Sequence, residues 1–75
     1  MTLTVSARGT LADRIPGGRM AVTLNDEDAT VSQLLDHLGL VRSSCVVVVN
    51  GAVAKAAQRL SDGDQVHLYP QQAGG

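Results

Sequence analysis

At 75 residues and a net charge of −1, the chain makes one small domain, near the lower size limit for folding alone. Its single cysteine excludes an internal disulfide, a four-thiolate zinc site and a cysteine-ligated iron–sulfur cluster, so the core alone must hold the fold. That core is aliphatic: 44% of residues are hydrophobic, Phe and Trp are absent, and Tyr69 is the one aromatic. Neither base stacking nor a basic field offers a hold on nucleic acid or an anionic membrane, so neither partner class is expected. The opening MTLTVSAR carries no charged leader before a long apolar stretch, and no run approaches the ~20 residues of a membrane span. A cytoplasmic location with a reduced thiol is expected.

Leu3, Val5 and Ala7 alternate with Thr2, Thr4 and Ser6, the period-two pattern of a strand with one buried face. Met20, Val22 and Leu24 repeat it against Ala21 and Thr23. In the connection, Thr10 is expected to cap one helical turn bearing Leu11 and Ile15 before Pro16, Gly17 and Gly18 redirect the chain. The two strands should form an antiparallel pair.

In DATVSQLLDHLGL the period changes, because Val31, Leu34, Leu35 and Leu38 fall on one helical stripe. Thr30 and Gln33 form a T-x-x-Q capping box, and Gly39 supplies the left-handed stop with Leu40 behind it. About two turns of helix do not persist alone, so the leucines must pack on a sheet. Val31, Leu34, Leu35 and Leu38 are expected to be buried against Leu3, Val5, Val22 and Leu68.

CVVVVNGAVAKA then gives a third strand and a short fourth around Asn50-Gly51, the dipeptide suited to a tight hairpin. Leu60 and Asp62-Gly63-Asp64 turn the chain into QVHLYP, with Val66 and Leu68 on one side and Gln65, His67 and Tyr69 on the other. This last strand is expected to stop at Pro70, which lacks the amide to continue a ladder. One helix on one mixed sheet makes a two-layer α+β domain over residues 1–70, followed by a flexible C-terminal Gly-Gly tail over 71–75.

Several residue groups have plain structural readings. Cys45 heads a valine run and reads as a small buried hydrophobe rather than a sulfur relay. His37 suits the end of a helix dipole better than ligation, and Asp62 and Asp64 read as turn formers. Gly17-Gly18 lacks the Lys and Ser or Thr of a phosphate loop. No Ser, His and acid set has catalytic spacing, and no metal site is expected. His67 and Tyr69 lie on a solvent-facing strand surface beside the tail, a candidate docking spot for a partner.

Four fragments, ATVSQLLDHL, VVVVNG, LSDGDQVHLYP and the terminal AGG, make the chain resemble the small ubiquitin-like sulfur-carrier proteins. These are the small subunit of molybdopterin synthase and the thiamine-pathway sulfur carrier. MTLTVSARGTLADRIPG is similar to the longer opening hairpin of the molybdopterin type, whereas Gln71, Gln72 and Ala73 make a more polar approach to Gly-Gly than that type usually has. The resemblance implies the β-grasp fold of ubiquitin, a mixed sheet packed on one main helix.

It also implies a carrier rather than an enzyme, acting as substrate of an ATP-dependent activating enzyme or as the small subunit of a sulfurtransferase complex. Gly75 is the reacting residue: adenylated at its carboxylate and converted to a thiocarboxylate, it donates sulfur in molybdenum-cofactor or thiamine biosynthesis. The partners so implied are a ubiquitin-activating-type adenylating enzyme that consumes ATP, a sulfur donor, and the large subunit of an acceptor synthase. The resemblance implies no bound cofactor beyond the covalent sulfur at Gly75. The resemblance also has Gly74 and Ala73 thread a narrow channel, for which glycine, without a Cβ, is suited. From Pro70 to Gly75 an extended tail spans about 20 Å. The alternative is a ubiquitin-like protein modifier, or a β-grasp interaction module with no covalent role for Gly75.

Overall fold

A computed structural model describes residues 1–71 of the chain. Strand β1 (Thr2–Ala7) pairs antiparallel with β2 (Arg19–Thr23), helix α1 (Val31–Leu38) follows, and β3 (Cys45–Val49), β4 (Ala52–Val53) and β5 (Gln65–Pro70) complete the chain. The sheet order is β2-β1-β5-β3-β4, with β5 parallel to β1 and antiparallel to β3. This is the ubiquitin-like β-grasp arrangement, in which the last strand enters the middle of the sheet.

Helix α1 forms as its sequence requires. The Thr30 N–H donates to Gln33 Oε1 at 2.8 Å and the Gln33 N–H donates to Thr30 Oγ1 at 3.4 Å, closing the capping box. The amides of Val31 and Ser32 donate to Gln58 O and Ala56 O, so a distant loop satisfies the donors that a helix start leaves free. At the other end Gly39 is left-handed and the Leu40 N–H donates to Leu35 O at 2.9 Å. Val31, Leu34 and Leu35 join Leu3, Val5, Val22, Val66 and Leu68 in one buried cluster. Leu38 differs from expectation: it is half-buried at the rim, and Leu40, brought back by the Gly39 stop, is buried instead.

The first connection also departs in detail. Residues Gly9–Arg14 form a 3-10 helix whose cap is Arg8 in an extended conformation with no side-chain cap bond, so Thr10 lies inside the turn rather than capping it. The reason is Gly9, whose φ of 57° turns the chain immediately after β1 and starts the helical stretch early. Leu11 and Ile15 are buried as expected.

Asn50 and Gly51 take φ of 50° and 87°, which the tight β3–β4 hairpin demands. Asn50 also joins two turns: its Nδ2 donates to Asp64 Oδ1, and the Gln65 N–H donates to Asn50 Oδ1, both at 2.9 Å. The Asp62-Gly63-Asp64 turn is tied to β1 as well, because the Thr2 N–H donates to Asp62 Oδ1 at 2.6 Å and the Gly63 N–H donates to Thr2 O at 2.8 Å. Both aspartates therefore act as turn formers.

Candidate functional site: the open sheet face and the tail root

Because side chains alternate along a strand, the sheet has one face under α1 and one open face. On β5, Val66 and Leu68 are buried, while Gln65, His67 and Tyr69 point to the open side, where His67 is half-buried and Tyr69 is 40% exposed. His67 and Tyr69 sit two residues apart, about 7 Å along the strand. The structure thus brings the two expected docking residues together, close to where the tail begins.

Register adds neighbours to them. Val48 is paired with His67 and Val53 with Val48, while Val46 is paired with Tyr69. Val46 and Val48 are half-buried and Val53 is 74% exposed, so an apolar strip runs beside the histidine and the tyrosine. Sequence reasoning missed these valines. A run of four identical residues has no alternation to reveal which members face outward, and the contrast appears only as burial: Cys45, Val47 and Val49 in, Val46 and Val48 out.

Strand β5 stops at Pro70 as expected, and the tail root is held on both flanks of that residue. Pro70 is paired with Cys45, and in the alternation of an antiparallel ladder this is a non-hydrogen-bonded pair, so its missing N–H costs β3 nothing. The next residue restores the ladder, for the Gln71 N–H donates to Ser44 O at 3.0 Å. On the opposite flank the Pro70 ring lies so close to Gly9 that a Cβ there would meet Pro70 Cγ at 3.1 Å. Ala73, Gly74 and Gly75, the residues expected to thread and react, lie outside the described residues, as does Gln72.

Cys45, at the base of this root, is buried, and its Sγ donates weakly to Val41 O at 3.8 Å. Burial pushes its thiol above the ordinary cysteine value, with a smaller opposing pull from the Ser44 side chain. A protonated, enclosed thiol is a poor sulfur nucleophile, which agrees with a packing role. Among the described residues no group of three or more His, Cys, Asp or Glu is placed to hold a metal ion. No described helix is long and apolar enough to cross a membrane.

Comparison with known proteins gives a consistent picture. Residues 11–75 match the ThiS family. No curated protein matches the chain in sequence. Among solved structures, the thiamine biosynthesis protein ThiS from Geobacter metallireducens is 26% identical, with a TM-score of 0.66 and 100% of each chain covered. SAMP1 from Haloferax volcanii is 24% identical with a TM-score of 0.80, again over 100% of each chain. A complex of subunits 1 and 2 of the molybdopterin-converting factor from Helicobacter pylori contains a chain 20% identical with a TM-score of 0.68, covered 100% in both directions.

Proposed function

The chain belongs to the ThiS family, and on that premise we propose that it is a sulfur carrier whose Gly75 carboxylate is the group that is loaded. The observation that carries this reading is the extent of the family match, which runs through the Ala73-Gly74-Gly75 end as well as the globule. A terminal carboxylate, ionised at neutral pH with a pKa of roughly 3.3–3.7, is inert as an electrophile and must be activated. In the proposed reaction a carboxylate oxygen attacks the α-phosphorus of ATP inside an adenylating partner, and pyrophosphate leaves. A sulfur donor then displaces AMP at the acyl carbon, giving a thiocarboxylate whose nucleophilic sulfur passes to an acceptor held by a synthase subunit.

The division of labour fits the geometry. The Gln71–Ser44 bond and the Gly9–Pro70 contact fix the point of departure, and four further residues span at most about 13–14 Å when fully extended. His67 and Tyr69, with the valine strip beside them, form the surface on which the adenylating enzyme docks while Gly74 and Ala73 thread its channel. The Helicobacter pylori complex of molybdopterin-converting factor subunits 1 and 2 supports a synthase subunit as the second partner. ATP is consumed by the partner, and the sulfur at Gly75 is the one group carried.

ATP–pyrophosphate exchange with the cognate adenylating enzyme tests the reading. Deletion of Gly75 withdraws the reacting carbon by up to ~3.6 Å, and even about 1 Å of misplacement costs on the order of a hundredfold in rate. The deletion should abolish exchange, and Gly74→Ala should slow it, with both globules still folded. Exchange by the deletion variant at the full-length rate would overturn the proposal. Intact mass of protein from its native cell then separates the outcomes: the sulfur-for-oxygen difference marks a carrier, larger conjugates a modifier.

A further inference from the structure

The open face holds a second feature, on the β1–β2 side of His67. Beside the Pro16–Gly18 turn lies a cleft of about 350 Å³, floored by β1 and β5 and rimmed by Gly17 and Gly18. Register places Arg19, Ser6 and His67 in one row across β2, β1 and β5, and Arg8 follows at the end of β1. All four line the cleft, and among the described residues no carboxylate does. In a chain of net charge −1 this is a local concentration of cationic donors.

Two further observations show that these donors lack partners among the described residues. The one ion pair among the described residues joins Arg59 to Asp28, so neither Arg8 nor Arg19 is neutralised there. His67 Nδ1 is buried with no hydrogen-bond partner among the described residues, an uncommon state for an enclosed polar atom. Guanidinium forks match tetrahedral oxyanions in a way that a point charge does not, and an imidazole N–H and a serine hydroxyl complete such a donor set.

We propose that this cleft binds a phosphate-class oxyanion, with Arg8 and Arg19 as the charged donors and the Ser6 hydroxyl and the His67 ring beside them. The cleft has room for a phosphate carrying a substituent, so its source is either free phosphate or a nucleoside monophosphate. The site needs only the free chain, and its test is independent of sulfur loading.

Amide and imidazole NMR spectra of the full chain, titrated at constant ionic strength with inorganic phosphate, with AMP, or with chloride as the blank, decide the matter. Saturable shifts at Ser6, Gly17, Gly18, Arg19 and the His67 ring nitrogens are expected with phosphate or AMP and not with chloride. A lower apparent Kd for AMP assigns the nucleotide as source, and an equal or higher one assigns free phosphate. Arg8→Gln and Arg19→Gln, both at exposed positions, should each weaken binding by about threefold or more, and the double variant should abolish it. Arg42→Gln, outside the cleft, should leave it unchanged. Shifts that chloride reproduces, or saturable binding that survives in the double variant, would overturn the proposal.

Discussion

The two faces of the sheet are made by the same strands yet follow different rules. Under α1 the inward residues Leu3, Val5, Val66 and Leu68 are all fully buried, and among the described residues no polar or charged one is buried with the core. On the open side the alternate residues are a mixture: Thr4, Ser6 and Arg19 toward β2, His67 and Tyr69 in the middle, valines toward β4. The backed face is uniform because each member is judged by the same burial energy. The open face is free to vary, so its departures from a plain polar surface, an apolar strip and an unpartnered cationic cleft, point to contacts with other molecules.

The sharpest way to break the contrast is to weaken the backed face. Leu34→Ala removes a side chain with 0% exposure and should cost ~2–5 kcal/mol, read as a lower denaturation midpoint. The loss is a large share of a small domain's stability. Gly9→Ala acts at the seam between the globule and the tail root. Its φ of 57° and the 3.1 Å approach to Pro70 Cγ should together cost about 1–2 kcal/mol and loosen the Gln71 amide, visible as faster hydrogen exchange there.

On the open face the expectation reverses. His67→Ala with Tyr69→Ala should change stability by less than about 1 kcal/mol, yet raise the carrier concentration needed for half-maximal ATP–pyrophosphate exchange without lowering the rate at saturation. A drop in the saturated rate with unchanged half-saturation would remove these residues from docking.

The smallest effect concerns Cys45. Its folded-state pKa is raised by burial, so the native state holds the thiol proton more tightly than the unfolded chain does. The corresponding stability is fully present below the ordinary value of 9.0 and is lost as pH rises from there through the raised folded value. Denaturation midpoints on either side of pH 9.0 should therefore fall more in the wild-type chain than in Cys45→Ala. An equal fall in both would show that the thiol does not titrate differently on folding.

How much of this was legible in the sequence follows from the range of each interaction. The capping box of Thr30 and Gln33, the Gly39 stop, the Asn50-Gly51 hairpin and the alternation of β1, β2 and β5 all depend on residues within a few positions of one another. His67 and Tyr69 could be placed on the outward side for the same reason. The Thr10 cap failed because a positive φ at Gly9 shifted the local register; β5 stops at Pro70 as expected, and the bond from Gln71 N–H to Ser44 O beyond it was not legible because it depends on pairing with a distant segment.

What the sequence determined by itself, then, is the inventory of elements and the stripe or alternation that each must bury, since a 3.6-residue or two-residue period is a local property. The tertiary structure decided the rest. It closed the start of α1 with carbonyls from Ala56 and Gln58, tied Asp62 to Thr2 and Asn50 to Asp64, and sorted four consecutive valines into two faces. It also set Arg19, Ser6 and His67, drawn from three strands, in one row. Each of these rests on strand order and register between residues distant in the chain, which only the collapse of the whole core on one pairing selects.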